Sequence, residues 1–556
     1  IGPHASRTPA AQADCYAAAR CRAECPTIMK QSMLKLLAAG VPTARRTIDR
    51  KTGRFLAANG GWAVTQQDCI LPLALLYTTP GTDMHGDRAV FDLARRGGDA
   101  LCDAQDGAGQ FEFVKVDGSR WGKIHMPWTI FHWCEAYALL RDRLDRAARQ
   151  RWERGLTLAY EGLARTYERP VNHNIPTWNG MSLVRGAQVF GREAWHAVGR
   201  RLIEHNIAHL HPHGYWPEGD GPTYGYNRVY IHALGLYHAF TGDRQVIPAL
   251  RKAVTFQTTF CYPDGSGIAA IDGRQRFHAQ GNAMGWPGYS LSAEGRRLIE
   301  LSWPGLKQKH EGLPSPHLAS TCQYLPDDAS TASLLVDRRR ARTVYRKSAL
   351  VRRQGAWTLC VSGYGTPPAS RAANSTARWI MTRSNCLSVW HDKLGVIIGG
   401  GRSKHAPLFA TFDLWQDGAQ RVEPDRAVFN ERNGEDVARL HYGELSCVLR
   451  LRPRGHRLDV TFDLPARTAR LAQVRAGFVM LPEHGSKLRW TAAGRPKVDV
   501  TNTLDPQRAI AVAWTPGDGY RRRKVSGAGW TLEMPEESSL AYPVYPFNPY
   551  AINDAS

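Results

Sequence analysis

Two short segments about fifty residues apart hold the residue types that proton-transfer chemistry requires. The first is Asn172-His173-Asn174, followed by Trp178, Asn179 and Gly180. The second runs Gly214-Tyr215-Trp216-Pro217-Glu218-Gly219-Asp220-Gly221-Pro222-Thr223-Tyr224, with Tyr226 and Tyr230 just beyond. Amide, imidazole, carboxylate and phenol groups gathered in loops can bind an anion, take up a proton and return one. A plain helix-to-helix connection would need only a turn. Each residue also has a plainer role: Asn172 is a good helix cap, a lone His is most often at a surface or core edge, and a lone Tyr packs. The joint pattern is what points to chemistry.

The elements that must position these loops read as helices. Ile28 to Ala39, Asp87 to Cys102, Trp128 to Arg141, Ala147 to Tyr167, Glu193 to His209, Val229 to Phe240 and Ala283 to Ser302 are helical segments. In several of them apolar residues recur at three- and four-residue spacing, most clearly in Trp133, Ala136, Tyr137 and Leu140. Turns such as Thr241-Gly242-Asp243 separate them. Helices joined by short turns make antiparallel hairpins, and a closed ring of hairpins, an α/α toroid, buries all their inner faces. The pattern predicts such a toroid over residues 28–302, after an N-terminal extension at 1–27. Residues 303–330, with Pro304, Pro314, Pro316 and Pro326, read as a linker. Beyond it the period changes. Ser348 to Val351, Trp357 to Val361, Leu387 to Trp390, Val396 to Ile398, Cys447 to Leu451 and Leu458 to Phe462 read as strands, which predicts an antiparallel β-sandwich over 331–556. The fold class is α+β and multidomain.

Composition narrows the partner. The chain has 556 residues, 43% of them hydrophobic, and a formal net charge of +22. That length buries a large core, and disorder is excluded. No apolar run is long enough to span a bilayer. The positive excess predicts attraction to polyanions. Nucleic acid is disfavoured, because no zinc-finger spacing, RNA-recognition signature or long basic arm is present. The runs Arg338 to Arg340 and Arg521 to Lys524 read as solvated faces. Seventeen Trp and 20 Tyr favour sugar stacking at least as well as base stacking. The 11 Cys form no metal spacing, although Cys15, Cys21 and Cys25 lie close enough for a disulfide near the start.

The Asn172-His173 pair before Gly180, the aromatic loop ending Glu-Gly-x-x-Pro-x-Tyr and the following β-rich region together resemble the heparinase II/III-like polysaccharide lyases, the group of toroid alginate, heparin and glucuronan lyases. The resemblance covers domain order over most of the chain. Matching at the level of residues is confined to Asn172-His173, the Trp216 to Tyr224 segment and the strand pair around Asn385 to Gly401. It implies β-elimination at a uronic acid, which leaves an unsaturated uronate end and needs no cofactor. Asn172 then corresponds to the amide that grips the sugar carboxylate, and His173 to the adjacent imidazole that acts as base or holds the acid sugar. Tyr224 matches the tyrosine of Pro-x-Tyr, with Tyr226 and Tyr230 as neighbouring registers. Arg228, one helical turn on, would lower the phenol's pKa from about 10.

In the family a further His precedes an Asp-x-x-Ser-Phe strand. Here Arg378 to Leu387 holds none. Arg378 or Arg383 would substitute as a carboxylate clamp, and His391 is the nearest imidazole. His125 and Trp128 at a helix head, Asn174, Trp178, Trp216 and the polar-loop residues Arg274 and His278 complete the expected substrate contacts. Glu218 is expected to orient the tyrosine loop. A structural metal in the β-region would draw on His391, Asp392 and His405. The expected partner is an anionic polysaccharide. A secreted or periplasmic location follows from that substrate class and not from a targeting signal. Two rivals remain. A glycoside hydrolase on a toroid would need two facing carboxylates, with Glu218 or Asp220 as one of them. A non-catalytic polyanion-binding protein would need neither.

Overall fold

The computed structural model describes residues 26–541, apart from 58, 115–119, 219–220, 274–281, 308–311, 327–329, 366–382, 400–409, 467, 481–486, 493–497, 502–509, 515–521, 528–529 and 536–538. The helical part comprises α1 (Pro26–Ala39), α2 (Val41–Thr47), α3 (Ile70–Thr78), α4 (Arg88–Ala104), α5 (Pro127–Leu140), α6 (Arg146–Thr166) and α7 (Asn174–Phe190). It continues with α8 (Glu193–Ala208), α9 (Tyr224–Thr241), α10 (Ile247–Thr259), α11 (Trp286–Tyr289), α12 (Ala293–Lys307) and α13 (Pro316–Tyr324). A hairpin of β1 (Phe111–Val114) and β2 (Arg120–Ile124) precedes α5.

Helix starts follow local chemistry. Asp87 and Asp145 cap α4 and α6 by accepting from Ala89 N and Ala148 N. Helices α7 and α9 end on left-handed glycines, Gly191 and Gly242. Helix α7 packs on α8 and α9, and α5 packs on α3, α6 and α7. The α7–α8 approach is close because glycines face each other. A Cβ on Gly199 would lie 2.6 Å from Gly180 O. The last helix, α13, returns to pack on α1 and α3.

Helix α13 falls inside the stretch read as a linker. Its prolines do not forbid it: Pro316 occupies the first turn, where no backbone N–H is required, and Ser315 caps it by accepting from Leu318 N. Leu318, Ala319 and Cys322 join the helical core. The segment expected as one helix from Ala283 to Ser302 is two, α11 and α12, separated at Ser290 to Ser292.

The β part begins with β3 (Arg340–Tyr345), β4 (Ala349–Gln354), β5 (Trp357–Ser362), β6 (Leu387–His391) and β7 (Gly395–Ile398). Then come β8 (Phe412–Gln416), β9 (Ala419–Arg421), β10 (Arg426–Arg432), β11 (Glu435–Tyr442), β12 (Leu445–Arg454), β13 (Arg457–Asp463), β14 (Leu471–Met480), β15 (Lys487–Ala492), β16 (Val498–Thr501), β17 (Ile510–Trp514), β18 (Arg522–Gly527), β19 (Trp530–Pro535) and β20 (Ser539–Ala541). A ten-stranded sheet holds the order β20-β17-β14-β7-β6-β5-β4-β3, with β8 on β14 and β9 on β8. Strands β10 to β13 form a separate meander, paired in register from Arg426 opposite His441 to Arg454 opposite Arg457. Leu359, Val389, Phe412 and Val474 of the large sheet share one core with Leu440, Leu449 and Leu451 of the meander.

Helical and β parts join through a third core in which Tyr224, Phe256, Phe260 and Tyr262 meet Val351, Cys360, Tyr364 and Trp390. Tyr262 stacks on Trp390 at 5.3 Å between ring centroids. Ala270 N donates to Ser388 Oγ across this junction.

Candidate active site

His173 is the N-cap of α7. Its Nδ1 accepts from Ile175 N at 3.4 Å, so the ring carries its proton on Nε2. Helix α7 therefore begins at Asn174, and Trp178, Asn179 and Gly180, read as loop residues, lie inside it. The cap holds Nε2 3.6 Å from Glu218 Oε1, an ion-pair distance once the ring is protonated. The same oxygen accepts from Asn174 Nδ2 at 2.7 Å. Glu218 is only 5% exposed, whereas the His173 side chain is 45% exposed. A buried carboxylate thus backs an accessible imidazole. The loop before the helix is tied down by Asn206, which accepts from His173 N and donates to Val171 O. Asn172 Oδ1 is buried with no hydrogen-bond partner among the described residues.

The second segment closes over the first. Glu218 N donates to Gly221 O in a tight bridge. Arg383, arriving from the β part, donates to Pro222 O at 2.8 Å and to Glu218 O at 3.2 Å. Its guanidinium fills the space above Gly221, where a Cβ would lie 2.4 Å from Cζ. Asp272 Oδ2 accepts from Gly225 N at the start of α9. The phenols then divide by helix face. Tyr224 turns inward, 1% exposed, and donates to Gln257 O at 3.1 Å. Tyr230 stacks on Trp216 at 4.6 Å with rings 6° apart, and its hydroxyl is buried without a partner among the described residues. Burial, and then the Glu218 carboxylate, hold that phenol well above its usual pKa. Tyr226 is half-buried and one turn before Tyr230, on the same face.

Several expected residues are placed elsewhere. Tyr224 is in the junction core; burial pushes its phenol up far more than Arg228, stacked over its ring at 4.8 Å, pulls it down. Arg228 is itself buried, 8% exposed. Trp178 and Trp216 are fully buried, with their indole N–H groups given to Pro127 O and Asn206 O, so neither can stack on a sugar. Trp128, stacked on Trp178 at 5.7 Å, keeps one side open. His125 covers Gly162 and pairs with Ala108 O. Arg383 is engaged with backbone carbonyls, 2% exposed, and orients the Glu218 loop. His391 sits at the far end of β6, edge-on to Trp357 at 4.7 Å and capping a turn at Lys393 N. It does not join the His173 group. Asp392 is paired with Arg353. Arg274, His278, Arg378, His405 and Asp220 lie outside the described residues, as do Cys15, Cys21 and Cys25.

The structure thus brings together His173, Asn174, Glu218 and Tyr230, with Asn172 next to His173 in the chain and Tyr226 one helical turn before Tyr230. Sequence reasoning missed Asn206, Asp272 and Gln257, which hold the loops and sit in otherwise ordinary helical or turn patterns. Among the described residues no group of three or more His, Cys, Asp or Glu could hold a metal ion, and no helix is long and apolar enough to cross a membrane.

No protein-family model matches the chain, and no curated protein matches it in sequence. Solved structures do match. A xanthan lyase from Paenibacillus superimposes with a TM-score of 0.50 at 12% identity, over 96% of this chain and 57% of that one. This chain thus spans little more than half of that protein's length. A Streptomyces coelicolor chondroitin AC lyase gives 0.49 at 11% identity, over 97% and 82%. Heparinase III gives 0.46 at 11%, over 94% and 95%. These structural neighbours are polysaccharide lyases of the α/α toroid type. At such identity what this chain shares with the xanthan lyase is the fold.

Proposed function

We propose that the protein is a polysaccharide lyase that cleaves a uronate-containing anionic polysaccharide by β-elimination, on an α/α toroid followed by a β-sandwich. The observation that carries this reading is the carboxylate-backed imidazole at the head of α7, open to solvent and next in the chain to Asn172, whose buried side-chain oxygen has no partner among the described residues. Asn172 and His173 receive the C5 carboxylate of the sugar. Neutralising it makes the C5 proton removable, and Glu218, 3.6 Å from Nε2, orients the His173 ring. Tyr226 takes the part first read for Tyr224: its phenolate removes the C5 proton, C4=C5 forms, the C4–O4 bond breaks, and the phenol protonates the departing O4. Asn174 and Arg383 keep Glu218 and its loop in position.

The net charge of +22 supports an anionic substrate, since a basic surface draws the polymer in and salt weakens that pull. Hydrolysis is the weaker reading. Glu218 is buried and held by Asn174, whereas a hydrolytic acid or base must reach the glycosidic bond. An extracellular or periplasmic location follows from the substrate class.

The test is the kinetics of three variants on a substrate that the wild type turns over. His173→Ala and Asn172→Ala are expected to lower kcat about 100-fold each, because the carboxylate contact strengthens as charge moves onto it. Tyr226→Phe is expected to remove nearly all turnover. If Tyr226→Phe keeps wild-type kcat while Tyr224→Phe loses it, the assignment of the phenol here is wrong.

A further inference from the structure

Strand β8 carries an exposed indole. Trp415 is 38% exposed, while its neighbours Phe412 and Leu414 point into the core between the sheets. A single exposed apolar residue is ordinary and needs no explanation; Val171, Leu394 and Val428 are others here. The surroundings of Trp415 are not ordinary. In register it lies between Gln420 of β9 and Gln473 of β14. Cross-strand partners stand about 5 Å apart, so the two amides flank the ring on both sides.

Both amides are fixed by one carboxylate. Asp413, two residues before Trp415 on the same face, is 1% exposed. Its Oδ1 accepts from Gln420 Nε2 at 2.8 Å, and its Oδ2 accepts from Gln473 Nε2 at 2.8 Å and from Arg475 Nη2 at 2.7 Å. Each Nε2 gives one hydrogen to Asp413, which fixes the side chain and leaves the amide oxygen as an acceptor. A flat apolar ring between two oriented acceptors is the complement of a sugar unit, which offers a C–H face and equatorial hydroxyl donors. Burying a carboxylate is costly unless it is fully bonded. Here that bonding fixes Gln420 and Gln473, the two cross-strand neighbours of the exposed ring, in advance, which lowers the ordering cost of binding.

We infer that Trp415, Gln420 and Gln473 form a second carbohydrate-binding surface, distinct from the His173 site, that holds a strand of acidic polysaccharide. The commitment to an acidic polymer rests on the lyase reading above and on the chain's net charge of +22; the two arginines of the neighbouring segment, Arg475 and Arg470, are paired with Asp413 and Asp417. Such a surface keeps the polymer attached between cleavage events. It adds to polymer affinity and leaves the chemistry of a bound unit unchanged.

The experiment is native electrophoresis of the full chain through gels containing xanthan, hyaluronan or alginate, with Trp415→Ala, Gln473→Ala and the control Leu394→Ala. Wild type is expected to be retarded by at least one polymer. Trp415→Ala should lose about tenfold in apparent affinity for it, a single-contact effect. Gln473→Ala should lose part of that, and Leu394→Ala nothing. Turnover of a short oligosaccharide should be the same in Trp415→Ala as in wild type. Retardation of Trp415→Ala equal to wild type overturns the inference, as does an equal loss in Leu394→Ala or no retardation of wild type by any of the three. Trp415-dependent retardation without unsaturated product from any polymer would keep the surface and remove the lyase reading.

Discussion

Two histidine clusters in the helical part make opposite use of the same side chain. At the head of α7, His173 is nearly half exposed, with a buried glutamate behind it. In the middle of the helices, His132 of α5, His232 of α9 and His317 of α13 meet around Trp178, all at most 3% exposed. Rings of His132 and His317 are 5.4 Å apart, and those of His232 and His317 are 5.5 Å apart. His232 accepts from Gly285 N and pairs with Ser320 Oγ, and His132 Nδ1 lies 3.2 Å from Asp68. Burial first, and then the neighbouring rings, press the inner pair away from the charged form: His232 falls to about 3 and His317 well below the usual value. An imidazole surrounded by other imidazoles and packed rings is kept neutral and serves packing. An imidazole at an open helix start with a carboxylate behind it can be reached by an anion. Access separates the two, not residue type: His132 also has a carboxylate beside it.

The sharpest way to break this contrast is to remove the phenol proposed to work with His173. Tyr226→Phe should lower kcat by about 1,000-fold, or about 4 kcal/mol of barrier, with thermal unfolding unchanged. Steady-state kinetics with calorimetry on the same sample checks both halves. Next in size is His232→Ala in the inner cluster. It should cost about 3 kcal/mol of stability through the lost volume and the orphaned Gly285 N–H, visible as a lower denaturant midpoint, while folded protein keeps its kcat. A large loss of kcat at full stability would show that the inner cluster takes part in the reaction.

Acid should sharpen the comparison further. Above pH 6.5 His232 and His317 are neutral in folded and unfolded chains alike and add no pH dependence. As pH falls below 6.5 the unfolded chain gains protons that His232 and His317 refuse when folded. Stability should then drop by about 1.4 kcal/mol per pH unit for each ring, down toward the folded value near 3 for His232. Denaturant titrations at pH 7, 6 and 5 measure it. The His232→Ala variant should show a shallower slope than wild type, and an equal slope would exclude His232 as a source. The smallest effect is expected from Tyr224→Phe. It loses one buried hydrogen bond to Gln257 O, about 1 kcal/mol, and turns over substrate as wild type does.

These last two tyrosines show where sequence reading stopped. Helices and strands were legible from apolar period: the six strand segments read between Ser348 and Phe462 fall on β4, β5, β6, β7, β12 and β13. The pair of loops was legible from its residue types. The direction of a side chain was not. Two residues along a helix rotate a side chain by about 200°, so Tyr224 and Tyr226 look alike in sequence and face opposite ways in space. Trp178 and Trp216 read as sugar platforms because composition carries no burial. Helix α7 was not among the helices read from the sequence, and a histidine cap is a weak signal beside Ser, Thr, Asp or Asn. Helix α13 was hidden by prolines that its first turn tolerates. Arg383 was read as a clamp for a sugar acid, yet its partners are two carbonyls of the very loop that holds Glu218.

The central claim is elimination rather than hydrolysis at the His173 site. The direct measurement is ultraviolet absorbance over time with glucuronan, alginate, heparan, chondroitin, hyaluronan, ulvan and xanthan, alongside an assay of new reducing ends. Elimination leaves a C4–C5 double bond conjugated to the carboxylate, which absorbs where the substrate does not. The account predicts rising absorbance in step with new reducing ends on at least one polymer, and its disappearance in His173→Ala. New reducing ends without any rise in absorbance would contradict it and make the protein a hydrolase.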